Sequence, residues 1–314
     1  MVVLNWFAPK RSFKQCSRLK MPGKIANVEG ATLDIEAPGV NVKLEMYRFF
    51  EHSSPLLKYQ GNVASQAGED GIIEKIMELL RPSQQFCVEF GAWDGKLHSN
   101  CFNLLKNKGW SGIMIEANKD KYRDLVGTYA GHNSVTTVNR FVDFEGANAL
   151  DKLLEEFEAP RDFGLLSIDV DGCDYYIWES LARYSPEVVV IEINPTVPND
   201  VLFVQARSFD VHQGCSLLAL VDLGRQKGYE LSVCTAWNAF FVRADKYPQL
   251  GLKSNLISNL YVPIQDGRIF QGFDGSIHVV GMSSLVWKGG LPVSSEDFQV
   301  LPKAARVWSD AQKK

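Results

Sequence analysis

A chain of 314 residues with 46% hydrophobic and 22% charged side chains has the composition of an ordinary globular protein rather than a disordered one. Its 33 Lys+Arg against 37 Asp+Glu leave a net charge of −4, so the overall basic footprint of a nucleic-acid or anionic-membrane binder is missing. No apolar run is long enough to span a bilayer, and the opening MVVLNWFA precedes its basic residues, the wrong order for a secretory signal.

Residues 1–24 carry Lys10, Arg11, Lys14, Arg18, Lys20 and Lys24 with no acid, which reads as a basic N-terminal tail. Residues 25–60 read as an irregular lead-in with a helix around LEMYRFFEH. From about residue 61 the pattern becomes regular. SQAGEDGIIEKIMELL places Ile72, Ile73, Ile76, Met77 and Leu80 on one helical face. FCVEFGAWDG is a short buried strand running into a glycine loop, SNCFNLLKNKGW is helical, GIMIEAN is a second strand and KDKYRDLVGTY a second helix. SVTTVNRFV, rich in β-branched residues, is a third strand, and NALDKLLEEF a helix. GLLSIDV, DYYIWESLARY and EVVVIEIN continue as strand, helix, strand. SLLALVDLGRQKGY is a helix with Gly228 as its cap, and YELSVCT and NAFFVRAD form a closing antiparallel pair.

Strands alternating with helices predict a mainly parallel sheet covered on both faces, doubly wound and Rossmann-like, over residues 61–250. Residues 251–314 read as a small β-rich C-terminal extension. Its Phe270, Phe273 and Trp287, with the earlier Trp237, fit a small core better than a sugar-stacking surface. The six cysteines, Cys16, Cys87, Cys101, Cys173, Cys215 and Cys234, show no CxxC spacing and several sit in apolar runs. They read as buried thiols of a reducing, cytoplasmic compartment.

Ligands of such sheets bind beyond the carboxyl ends of the strands. After the first strand stand Glu89, Gly91, Asp94 and Gly95, an acid-x-Gly-x-x-x-Gly loop. It lacks the second glycine of GxGxxG, so it suits a ligand with a charged amino-acid part better than a pyrophosphate. Glu116 ends the second strand about 20 residues further on, where an acid accepts ribose hydroxyls. After the third strand, Phe141 is placed to flank an adenine and Asp143 to accept its amino group.

VEFGAWDG, GIMIEAN and LLSIDVDGCDYYIWESL resemble the successive motifs of class I methyltransferases that use S-adenosylmethionine, closest to the FkbM-type group and more loosely to macrocin-type sugar O-methyltransferases. SQAGEDGII and the later SLLALVDLGRQKGYEL and NAFFVRAD share the likeness, which covers roughly residues 60–250. The resemblance implies a seven-stranded sheet, mostly parallel with one antiparallel strand, and places Glu89, Gly91 and Gly95 along the methionine part and Glu116 on the ribose. The departure is DVDGCD, which has one more aspartate and a cysteine where an acid-Gly-acid segment is expected.

If the family's strand order holds, Asp169 ends a strand beside the first one, and Asp169 and Asp171 project to one side if that strand persists. Glu192 and Asn194 do the same on the next strand. With Asp174 these oxygens form a candidate Mg²⁺ site, or, without metal, a crowd of carboxylates in which one becomes a general base. Asp169 is the first candidate base and His212 a second. The expected activity is O-methylation of a sugar hydroxyl, with a small-molecule or glycan acceptor and no nucleic-acid partner. Two other readings stay open: a non-catalytic Rossmann-like binding protein, and a phosphatase of the haloacid-dehalogenase type, whose DxDG start IDVDGCD resembles.

Overall fold

The computed structural model describes residues 31–37, 40–46 and 54–308. The chain divides into two units, Met1–Arg48 and Phe49–Lys314. In the first, β1 (Ala31–Ala37) and β2 (Val40–Met46) pair antiparallel, with Leu33 opposite Leu44 and Ile35 opposite Val42. The helix expected around LEMYRFFEH is therefore strand over residues 44–46, and its remainder lies outside the described residues, as does the basic tail. Period-two alternation on both sides of the Pro-Gly pair at 38–39 is a hairpin signal, and it outweighs the helical look of one aromatic-rich stretch.

The second unit runs α1 (Glu69–Leu80), β3 (Phe86–Phe90), α2 (Phe102–Asn107), β4 (Ser111–Ile115), α3 (Lys119–Thr128), β5 (Val135–Val138), α4 (Leu150–Glu156) and β6 (Leu165–Ile168). It continues with α5 (Asp174–Ser180), β7 (Val188–Glu192), α6 (Leu217–Gln226), β8 (Tyr229–Cys234) and β9 (Asn238–Arg243). The extension adds the single turn α7 (Ile257–Leu260) and the hairpins β10 (Arg268–Gln271) with β11 (Ile277–Val280) and β12 (Ser284–Leu285) with β13 (Leu291–Pro292). Helix α5 stops at Ser180, short of the expected DYYIWESLARY, because the Ala182 and Arg183 N–H groups donate to Asp151 at 2.9 and 3.0 Å instead of continuing the helical ladder. Gly228 does follow α6, in the left-handed region at φ 81°, as its cap reading requires.

The seven strands β3–β9 form one sheet in the order β5-β4-β3-β6-β7-β9-β8. All neighbours up to β7 are parallel, and β9 is antiparallel to both β7 and β8. This is the doubly wound sheet with one reversed strand that characterises the class I methyltransferase fold. Strand alternation divides its side chains between two cores. Val88, Phe90, Leu166, Ile168, Val189 and Ile191 meet α4, α5 and α6, whereas Cys87, Met114, Leu165, Val188 and Val190 meet α1, α2 and α3.

The chain leaves β3 toward β4 on one side and later returns to β6 on the other, so the switch point lies between β3 and β6. Register pairs Phe90 with Ile115 and with Ile168, and Ile168 with Ile191. The carboxyl ends of β4, β3, β6 and β7 are therefore level, and the residue following each strand faces one shared edge. Gly91 sets the width of that edge: a Cβ there would lie 1.8 Å from the Asp169 carbonyl oxygen, and its φ is 71°. Gly91→Ala is expected to cost at least about 2 kcal/mol of unfolding free energy in a denaturant titration, and an unchanged midpoint would disprove the tight contact.

Candidate functional site

The acid of the glycine loop is buried. The Ser99 hydroxyl and the Asn100 N–H donate to the two Glu89 oxygens, and the Asn100 amide reaches on to Ser167 of β6 at 3.1 Å. Burial pushes the Glu89 carboxyl above its ordinary pKa, opposed by these hydrogen bonds. Gly95 is needed for packing, since a Cβ would meet Leu125 at 2.5 Å and Tyr129 at 2.7 Å. Asp94 caps its own turn, accepting the Lys96 and Leu97 N–H groups at 2.9 and 2.7 Å. Trp93 holds a left-handed φ of 50°, and its N–H donates to Glu116 at 2.8 Å.

Glu116, buried at the end of β4, also accepts the Asn118 N–H at 2.6 Å. One backbone donor on each oxygen leaves further lone pairs on both. Phe141 is 44% exposed and meets Phe209 edge-on at 4.6 Å, while Phe144 stacks on Phe209 at 5.1 Å. Asp143 accepts the Phe144 and Glu145 N–H groups at 2.7 and 3.2 Å, a turn of its own making.

Beyond β6 the strand does not persist. It ends at Ile168, and Asp171 takes a left-handed φ of 55°. The turn comes from Asp174, which leads helix α5 but accepts the Val170 and Gly172 N–H groups, both at 2.9 Å, folding the chain back on itself. Three of the five residues read as a cation site nevertheless converge, by a route other than strand geometry. Asp169, Asp171 and Glu192 present carboxylate oxygens all within 4.8 Å of one another. Asp174 is not brought into that group, its oxygens being engaged by the loop. Asn194 is engaged within the next loop, its amide donating to the Gln213 carbonyl at 2.9 Å and its oxygen taking the Thr196 hydroxyl at 2.7 Å.

Asp169 reaches solvent, yet protein surrounds it closely enough that burial is the first cause raising its pKa well above the carboxylate range, followed by the charges of Asp174, Asp171 and Glu89. Glu192 is raised for the same reasons, burial first and then Asp169, Asp174 and Asp171. Among the described residues no ion pair involves any of the three, so like charge accumulates without a counter-charge.

The 24 residues between β7 and α6 form a wall over this turn. Sequence reading passes over its organising residue, Gln205, which is 1% exposed. Its amide nitrogen donates to the Ser208 and Val211 carbonyls, and its oxygen accepts the Gln213 and Gly214 N–H groups at 2.8 Å each. A lone glutamine in the apolar run LFVQAR was the available signal. The wall brings the His212 ring against the turn, with Nδ1 3.0 Å from the Asp171 carbonyl oxygen. A carbonyl only accepts, so Nδ1 carries the proton and Nε2 of the neutral ring is left as an acceptor.

Two further acids passed over at the start of α1 hold the frame. Asp70 accepts the Val63, Ala64 and Ser65 N–H groups, each at 2.8 Å, and Glu69 accepts the Thr235 hydroxyl at 2.7 Å and the Asn238 amide at 3.3 Å.

No protein-family model and no curated protein sequence matches the chain. Solved structures that resemble it include the N-terminal domain of EvdMO1 in the presence of SAH and D-fucose, at 14% identity over 55% of this chain and 80% of that one, with a TM-score of 0.37. An O-methyltransferase family protein from Burkholderia thailandensis matches at 11% identity over 55% of each chain, TM-score 0.36. Mitomycin 7-O-methyltransferase MmcR matches at 13% identity over 55% of this chain and 54% of that one, TM-score 0.32.

The crowded carboxylates carry a stability consequence. A raised folded pKa means that the folded state binds more protons than the unfolded one, so stability falls as pH rises from the unfolded carboxylate range through the raised value. Asp169→Asn is therefore expected to raise the melting temperature at pH 7, by about 2–4 °C per kcal/mol relieved, with the gap to the parent closing toward pH 4. A lowered melting temperature at neutral pH would show that the Asp169 charge is compensated.

Proposed function

We propose that the chain is an O-methyltransferase that uses S-adenosylmethionine and acts on a sugar hydroxyl. The observation that carries this reading is the row of acids at four adjacent strand ends, Glu116, Glu89, Asp169 and Glu192, beside a glycine loop unsuited to a pyrophosphate. In this reading Glu116 accepts the ribose hydroxyls with its remaining lone pairs, and Phe141 and Asp143 attend the adenine. Glu89 holds the loop of Gly91 to Asn100 in the shape that receives the methionine part.

S-adenosylmethionine supplies an already activated methyl group, so the protein's own tasks are alignment and removal of a proton. Asp169 takes the proton of the acceptor hydroxyl, burial and the neighbouring acids making it a stronger proton acceptor than an ordinary carboxylate. His212 Nε2 is the second acceptor at the same turn. The three converging carboxylates also suit a hard divalent cation by donor type and charge. Mg²⁺ held by Asp169, Asp171 and Glu192 would neutralise their repulsion and polarise vicinal hydroxyls. The five buried free thiols support work in a reducing compartment such as the cytoplasm, and among the described residues no helix is long and apolar enough to cross a membrane.

The test is a calorimetric titration with S-adenosylhomocysteine, with and without Mg²⁺. Binding in the micromolar range is expected, weakened on the order of tenfold or more (~1.4 kcal/mol) in Glu116→Ala. Absence of binding under both conditions would remove the reading and return weight to a binding module or, if phosphate esters are hydrolysed, to a phosphatase.

A further inference from the structure

The sequence favoured Trp237 and Trp287 as interior residues of a small core. They are not buried. Trp237 is partly exposed and Trp287 is 42% exposed, whereas Trp178, in the true core, is fully enclosed. The two indoles nevertheless stand together, with ring centroids 5.5 Å apart and planes tilted by 54°. Two partly exposed indoles in contact at the surface leave apolar area for a ligand to cover.

Their place in the fold is fixed by hydrogen bonds. Trp237 lies in the turn between β8 and β9, and its carbonyl accepts the N–H of Ile193, the residue after Glu192, at 2.8 Å. Register sets the next residue, Asn238, directly opposite Glu192. Trp287 comes from the extension, which is tied to the same edge. The Ile264 N–H donates to the Pro195 carbonyl at 3.0 Å, and the Asn199 amide donates to the Tyr261 carbonyl, also at 3.0 Å. The Gln265 amide then donates to Ser284, at the head of the segment that carries Trp287, at 2.9 Å. The pair thus flanks the β7 end of the carboxylate cluster, on the side away from Glu116 and the glycine loop.

The chemistry on the two sides of this edge is complementary to one class of molecule. An indole face takes an apolar, flat surface such as the C–H face of a pyranose ring, and carboxylates accept hydroxyl protons. Among the described residues no ion pair brings a cation to Asp169, Asp171 or Glu192, so without a bound divalent ion the cluster offers a phosphorylated or nucleotide-linked sugar no counter-charge within ion-pair distance. We propose that Trp237 and Trp287 form the acceptor subsite of this protein, holding an uncharged glycosyl ring with its hydroxyls toward Asp169 and Glu192. The inference rests on the methyltransferase reading for the word acceptor, but the subsite itself is testable without the cofactor.

The probes are the methyl pyranosides of glucose, galactose and mannose and their 6-phosphates. Each is titrated into the full chain, with and without saturating S-adenosylhomocysteine, and followed by tryptophan fluorescence and saturation-transfer NMR. At least one neutral glycoside is expected to saturate. Its affinity should fall on the order of tenfold in Trp287→Ala (~1.4 kcal/mol) and be largely kept in Trp287→Phe, which retains an aromatic face. S-adenosylhomocysteine affinity should be unchanged in both variants. The subsite is overturned if no neutral glycoside saturates, if Trp287→Ala binds as the parent does, or if the 6-phosphates bind more tightly. Failure of S-adenosylhomocysteine to bind the parent strikes the methyltransferase reading alone, because the glycoside titration without it still decides the subsite.

Discussion

At the carboxyl edge of the sheet, the backbone of Gly91 passes the Asp169 carbonyl so closely that there is no room for a methyl group between them. That approach draws together the two strand ends flanking the switch point. Beside this approach the chain leaving β6 ends as a strand at Ile168, and the Asp174 carboxylate makes the reversal by gathering the Val170 and Gly172 amides. The left-handed Asp171 and the convergence of three carboxylates accompany this turn. Backbone approach and the Asp174 hydrogen bonds, which act against the mutual repulsion of the acids, hold the cluster together.

The acids near this edge fall into two populations distinguished by what their oxygens meet. Glu69, Asp70, Glu89, Glu116 and Asp174 accept backbone or hydroxyl donors and act as fasteners for loops. Asp169, Asp171 and Glu192 face one another instead. Backbone N–H groups stabilise a buried carboxylate without adding a net charge, so the first group can be numerous. The second group is held in place by a fold that the rest of the molecule stabilises, a distribution typical of sites where local strain serves a purpose.

Much of this was legible in the sequence, and the reason is pattern. Along β3, β4, β6 and β7 the apolar runs are short and nearly continuous because both faces of each strand are buried, and the helices between them repeat cleanly. An acid at the end of such a run stands out, which is why Glu89, Glu116, Asp169 and Glu192 were readable. Asp171 was harder, since its position depends on a turn whose donors and acceptor lie across the β6–α5 loop rather than on strand geometry. Gln205 and the tryptophan pair were harder still. Their roles come from contacts such as Gly172 with Gln205, or Trp237 with Trp287, between segments tens of residues apart. No local pattern encodes those meetings. The β1–β2 hairpin was a different failure, in which a period-two signal was present and a helical one was preferred.

Five of the cysteines, Cys87, Cys101, Cys173, Cys215 and Cys234, are free and enclosed. While the fold stands, burial raises the pKa of Cys101, Cys173, Cys215 and Cys234 and withholds the reactive thiolate. Unfolding releases all five at once, into a chain with no native disulfide among them to guide their pairing. Heat therefore changes the covalent chemistry of the protein as well as its shape. Where oxygen links unfolded chains through mismatched sulfur bridges before they refold, the lifetime of the folded state and the strength of the reductant, rather than an equilibrium constant, set how long a preparation survives.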